Sequence, residues 1–171
     1  MSNKHIEINT ERLYLRTIAV DDAEMIIEIG THADLIIAAD KLRQQVFIDE
    51  QGVPAEEIFD GLNSQATHIV VFDCGTPVAT SRVLNDGKNW HIGLVAVDKS
   101  KRGMHLGEKV MQASIEHIMS NGGREILLTA QQQVCEFYEK LGFIQSGEVE
   151  VFESGFVLVP MKLNLYARKL Y

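Results

Sequence analysis

The chain has 171 residues, 46% of them hydrophobic and 23% charged, the balance of a folded globular protein and too apolar for a disordered tail. Sixteen Lys and Arg against 24 Asp and Glu leave a formal net charge of −8, which argues against nucleic acid or anionic lipid as partners unless basic residues gather in one patch. Apolar runs such as Leu35–Ala39 and Phe156–Pro160 are far too short to cross a bilayer, and the opening MSNKHIEINT carries no secretory leader, so a cytoplasmic protein without a membrane partner is expected.

With no internal repeat and no Pro/Gly-rich linker, residues 1–171 read as one domain. Leu13–Ile18 alternates and is rich in strand formers. Asp21-Asp22 then set carboxylates where a helix N-terminus favours them, ahead of Met25, Ile26 and Ile29, predicting a first helix. Leu35, Ala39, Leu42 and Val46 recur at three- and four-residue intervals, predicting a second helix from about Asp34 that stops at Gly52. His68–Phe72 and Pro77–Leu84 read as strands, and Asn85-Asp86-Gly87 is a hairpin signal leading into a strand over Trp90–Val97. A helix follows from Gly103 to about Met119, striped by Leu106, Val110, Met111, Ile115 and Ile118 and ended by Asn121-Gly122-Gly123. Glu125–Ala130 reads as a strand, Val134–Leu141 as a short helix closed by Gly142, and Phe143–Phe152 with Phe156–Leu163 as a final antiparallel pair. The order β-α-α-β-β-β-α-β-α-β-β predicts an α/β (α+β) protein, one mixed sheet with helices on both faces.

Several chemistries are unsupported by the motifs. Two cysteines, Cys74 and Cys135, make no disulfide framework, and the chain has no C-x-x-C, H-E-x-x-H or EF-hand pattern, so no metal is expected. Missing dinucleotide, phosphate-loop and nucleophile-elbow signatures remove the commonest dehydrogenase, NTPase and hydrolase readings. The informative segment runs from Val95 to Gly107, out of a strand and into an amphipathic helix. Unpaired amides and the helix dipole attract phosphate at such a junction, and glycines let the backbone approach it. Between Asp98 and Lys109 four basic residues (Lys99, Lys101, Arg102, Lys109) outnumber two acidic ones (Asp98, Glu108), inside an acidic chain. An ordinary helix start with solvated lysines would look much the same.

That junction, followed by Ala130-Gln131 and then by Phe137-Tyr138-Glu139-Lys140-Leu141-Gly142-Phe143, resembles the GNAT superfamily of acyl-CoA-dependent N-acetyltransferases. Leu42-Arg43-Gln44-Gln45-Val46-Phe47-Ile48-Asp49-Glu50-Gln51 and the stretch from Glu153 to Met161 resemble its ElaA-like bacterial branch, and the likeness covers about residues 35–163. The opening Thr10–Arg16 instead resembles the start of ribosomal-protein-type acetyltransferases. Departures from the family pattern are His105 at the first motif glycine, Gln131 at the usual Asn and Val134 at the usual Ala.

The resemblance implies a mostly antiparallel sheet of six to seven strands flanked by about four helices. It also implies acetyl transfer from acetyl-CoA to a primary amine in a ternary complex, a small molecule being favoured over a protein. The cofactor-binding positions it implies are Val95, Ala96 and Val97 beside the pantetheine arm, the diphosphate loop Arg102, Gly103, Met104, His105, Leu106 and Gly107, and Gln131. Tyr138 matches the family's proton donor to the departing thiolate, since a tyrosine stays protonated at neutral pH. A lysine-like amine is mostly charged at neutral pH and must lose a proton. His91 matches the position of the glutamate base in histone-type members, and an imidazole titrates in the useful range. It lies in the strand with the side-chain parity of Val95 and Val97. Glu50, which the resemblance places by the acceptor pocket, is the rival base, and water stays open. The run Asp49, Glu50, Glu56, Glu57, Asp60 contains no basic residue and suggests a positively charged acceptor, unless it is merely a solvated loop. Cys135, one turn before Tyr138, reads as a structural thiol rather than an acyl carrier. The alternative reading is a CoA-binding sensor of the same fold without turnover, and homodimerisation stays open.

Overall fold

The computed structural model describes residues 15–20, 23–152 and 155–167. Leu13, the Asp21-Asp22 pair and Glu153 lie outside the described residues. The elements are β1 (Leu15–Val20), β2 (Ala23–Gly30), α1 (Ala33–Arg43), a π-helical turn (Gln44–Glu50), α2 (Ala55–Ile58), β3 (Thr67–Asp73), β4 (Thr76–Asn85), β5 (Trp90–Val97), α3 (Leu106–Ser120), β6 (Glu125–Gln131), α4 (Cys135–Lys140), β7 (Ile144–Gln145), β8 (Glu150–Val151) and β9 (Val157–Asn164). One sheet runs β1-β2-β3-β4-β5-β6-β9-β7, with β8 also on β9. Every pairing is antiparallel except β5 with β6.

The mixed α/β sheet agrees with the expected class, and two local readings are corrected. The first predicted helix is strand β2. Its eight residues are short for a helix, and burial alternates, with Met25 and Ile27 inside while Ile26 and Glu28 are half-buried. Three isoleucines stiff at χ1 suit a strand paired on both sides, by β1 and by β3. Among the described residues the strand count rises to nine for that reason, and because 143–152 breaks into β7 and β8, each only two residues long. The second predicted helix is α-helical only to Arg43 and then widens into a π-helical turn, ended at Gly52 with φ 71°.

The sheet separates two apolar layers. On one face α3 and α4 pack Leu106, Val110, Met111, Ile115, Ile118 and Tyr138 onto Ile69, Val71, Val83 and Ile92. On the other face α1 seats Leu35 and Ala39 on Val70, and Leu42 of α1 with Val46 of the π-helical turn packs on Ala96. No helix among the described residues is long and apolar enough to cross a membrane.

Beneath α1 lies a buried polar network. Arg43, fully buried, donates to Asp40 (2.9 Å) and to the Ser81 carbonyl (3.3 Å), and its Nη2 meets His68 Nδ1 at 3.2 Å. A guanidinium can only donate, so Nδ1 accepts and Nε2 carries the proton toward the Asn63 carbonyl, 3.0 Å away. Burial first, and then the Arg43 charge, hold His68 below the ordinary imidazole range, and burial does the same to His117. Both rings therefore take up protons less readily when folded than when unfolded. Their stability contribution is complete above the unfolded value, about 6.5, and is lost as pH falls below it. Urea midpoints should accordingly drop between pH 7.5 and pH 5, with a shallower drop in His68→Gln; identical slopes in the two proteins would remove His68 from the effect.

Candidate active site

Opposite β4, the register of β5 jumps from Arg82↔Gly93 to Thr80↔Ala96, so Leu94 and Val95 bulge against Ser81 alone. Leu94 takes a left-handed backbone, φ 49°, which costs a leucine on the order of 1–2 kcal/mol and persists only where surrounding structure imposes it. The bulge reverses side-chain parity. Before it Ile92 faces the α3 core, whereas after it Val95 and Val97 lean on that core and Ala96 turns to α1. His91 therefore shares a face with Ala96 and lies opposite Val95 and Val97, correcting the parity expected from simple alternation.

The bulge also parts β5 from β6. The two pair only at Trp90↔Ile126 and His91↔Leu127. Beyond those residues each strand keeps a neighbour on its far side only, β4 for β5 and β9 for β6, leaving a wedge-shaped opening. Gly123 sits beside its narrow end, where a Cβ would run into Ile118 and stand 2.9 Å from the Trp90 ring.

At the wide end the chain passes through Asp98, a 3-10 turn over Lys99–Lys101, Gly103 (φ 82°) and His105 (φ 57°) into α3. His105, at the N-cap, makes no side-chain capping bond, and first-turn amides have no carbonyl one turn back to pair with. His105 occupies a left-handed position usually given to glycine, but its side chain is 80% exposed and turned toward Glu108, 3.1 Å away, so it does not fill the turn. Leu106 is buried and anchors the helix start, while Met104 is exposed.

Arg102 is held across the wide end. Its Nη1 and Nη2 donate to the two oxygens of Glu50, each at 2.7 Å, and its Nε to the Val97 carbonyl at 3.3 Å. This pairing keeps the Glu50 carboxyl below the usual carboxylate range and raises Arg102. A carboxylate so held is a poor proton acceptor. The neighbouring Gln51 accepts from Gln131 Nε2 at the end of β6 (3.1 Å), and Gln131 in turn accepts from Gln133 (2.6 Å). The end of the π-helical turn thus touches both sides of the opening. Sequence spacing missed this because a π turn and an α turn look alike in an apolar stripe.

Tyr138 lies 8% exposed on the α3 side, edge-on to Phe137 (5.0 Å) and Phe143 (6.0 Å), in the core against which Val95 and Val97 pack. Burial, with the nearby Cys135 adding to it, pushes its phenol up to about 12. Cys135 is raised too, by burial and then by Glu139, which leaves it a thiol. His91 is on the opposite face, Nε2 3.0 Å from Asp86 Oδ2. Asp86 accepts amides from Lys88 and Asn89 on its other oxygen, and those bonds, together with His91, hold it well below the carboxylate range. Asp86 was legible in the sequence only as a turn residue. His91 stands in the wall of a cavity of about 410 Å³ at the narrow end, while Glu50 is beyond the wide end, on the order of 20 Å further along the strand. The two candidate bases are therefore not brought together. Among the described residues no group of three or more His, Cys, Asp or Glu is placed to hold a metal.

Residues 36–165 match the Acetyltransferase (GNAT) domain. The chain belongs to the GNAT acetyltransferase family. It is an acyltransferase of the ElaA-like branch. The crystal structure of Escherichia coli ElaA superposes with a TM-score of 0.70 at 26% identity, covering 82% of this chain and 98% of that one. The Bacillus subtilis (strain 168) protein YjcF, described as an uncharacterized N-acetyltransferase, is 36% identical over 115 residues, 67% of this chain and 81% of its own length. An aminoglycoside 6'-N-acetyltransferase complexed with coenzyme A shares the fold alone, with a TM-score of 0.64 at 16% identity over 92% of this chain and 100% of that one.

In this acetyltransferase the α3 start depends on a close approach. A Cβ at Gly107 would stand 3.2 and 3.3 Å from the Phe137 ring and 3.8 Å from Val97. Gly107→Val should destabilise the fold by about 1–3 kcal/mol through overpacking, read by urea unfolding; an unchanged midpoint would show that Phe137 yields freely.

Proposed function

We propose that the protein moves the acetyl group of acetyl-CoA directly to a primary amine of a small molecule, with donor and acceptor bound together. The observation that carries this reading is the opening between β5 and β6, which has an uncapped helix start at its wide end, Tyr138 on one face and His91 on the other. The diphosphate would lie against the amides of Arg102, Gly103, Met104, His105, Leu106 and Gly107, where first-turn N–H groups and the helix dipole favour an anion. Gly103 supplies a left-handed turn there and His105 keeps its ring outside. The pantetheine arm would lie along Val95, Ala96 and Val97 on the strand edge that β6 leaves open, with Gln131 across from them.

The amine reaches the thioester from the α1 face. His91, its ring held by Asp86, takes one proton from the ammonium. The nitrogen then forms its bond to the thioester carbon, the C–S bond breaks with its electron pair going to sulfur, and the nitrogen gives its second proton to solvent. Tyr138 donates its hydroxyl proton toward the sulfur as negative charge grows there. The burial that pushes this phenol to about 12 also makes a buried thiolate more basic, so donor and acceptor stay matched. We assign Glu50 to holding Arg102 beside the diphosphate rather than to proton transfer, since its carboxylate is paired twice.

Thiol release from acetyl-CoA in the presence of a panel of primary amines, with mass analysis of the products, tests the reading. Tyr138→Phe and His91→Gln should each lower kcat by about 10²-fold while the KM for acetyl-CoA changes less than about threefold. Arg102→Ala should do the reverse, raising that KM about tenfold with little effect on kcat. Binding of CoA without acetylation of any amine would contradict it.

A further inference from the structure

We propose that the acceptor is a monoamine with an apolar body, and that the cavity beside His91 selects against a second positive charge. This rests on the acetyl-transfer reading above and names the substrate class of the same site. The cavity, about 410 Å³, opens on the α1 face where β5 and β6 begin to part. Leu84, Leu127 and Pro160 give it apolar walls, Thr129 and Ser146 bring hydroxyls, and Gly93 leaves part of the wall without a side chain. Its ionisable lining residues are basic, Arg82 and His91, and among the described residues no Asp or Glu lines it.

Two carboxylates pair with the basic residues of this wall, and both are engaged. Both oxygens of Asp60 accept from Arg82, at 2.7 and 2.6 Å. Asp86 accepts two backbone amides on one oxygen and meets His91 through the other. Asp40, further in, serves Arg43 and Asn63. An ammonium leaving water for this wall therefore meets hydroxyls but no carboxylate among the described lining residues, and a charge buried without a partner is strongly disfavoured. The reacting ammonium escapes that penalty by giving its proton to His91; a second one has no such outlet.

The acidic run that suggested a cationic acceptor does not supply the missing anion. Asp49 accepts from Gln44 (2.8 Å), Glu50 from Arg102 and Asp60 from Arg82, while Glu56 and Glu57 are exposed on α2 and do not line the cavity.

Hexylamine and hexane-1,6-diamine share a chain length and a reacting group and differ in one charge. Steady-state kinetics at one pH should give hexylamine the larger kcat/KM by about tenfold or more, despite the two reactive ends of the diamine. Matched pairs of arylalkyl monoamines and diamines should repeat the preference. Thr129→Asp, which sets a carboxylate on an exposed strand position of the wall, should shrink the hexylamine preference at least about fivefold. Equal or better use of the diamine by the wild type would overturn the proposal and leave acetyl transfer standing. So would a ratio that Thr129→Asp fails to move. Acetylation of no amine at all would overturn both.

Discussion

The two-residue bulge at Leu94 and Val95 is the constraint from which the rest of this structure follows. Strand β4 cannot yield to accommodate it. Thr80 Oγ1 donates to the Ile69 carbonyl (2.9 Å), and Ser81 Oγ meets Ser114 Oγ on α3 at 2.7 Å, all of it buried. With β4 fixed to β3 and α3, the extra length is taken up by β5, which turns away from β6 after His91. A strained leucine and an unpaired strand edge are then held together by the packing on either face, the usual arrangement where local strain serves a site.

The parting of the strands explains how chemistry is divided between the two faces. A continuous sheet would be a wall between α3 and α1. Opened at its centre, it leaves a passage with Tyr138 on one side and His91 on the other, and on the proposed reading a thioester would lie between them. The π-helical turn completes this arrangement from above, with Glu50 tied to the loop after β5 and Gln51 to the end of β6. Arg43 and its network seat that turn by fixing the end of α1 to β3 and β4. The consequence is a mouth whose cationic group, Arg102, is oriented before any ligand arrives.

Much of this was legible in the residues. The strand over Trp90–Val97 is observed with those bounds, and the stripe from Leu106 to Ile118 faces the core as spaced. Those elements are long or bounded by strong turn chemistry, and nothing competes with their periodicity. Residues 23–30 misled because isoleucines three apart fit a helix as well as a strand, and only pairing by β1 and β3 decides between them. His91 lies in the predicted strand but on the face opposite to the one simple alternation gives, since a bulge leaves no mark in the pattern until its register is seen. Glu50 suggests a base in the sequence because a carboxylate near an acceptor pocket invites that role. Its partner lies 52 residues away and could not be inferred from spacing.

The central claim is that a diphosphate sits on the amides from Arg102 to Gly107 while the arm behind it runs into the gap beside Val95–Val97. Titrating coenzyme A into the ¹⁵N-labelled protein and following backbone amide resonances tests this most directly. The account predicts saturable shifts concentrated at those two segments, with smaller ones at Gln131. Shifts that are absent at millimolar ligand, or confined to residues outside the opening, would contradict it.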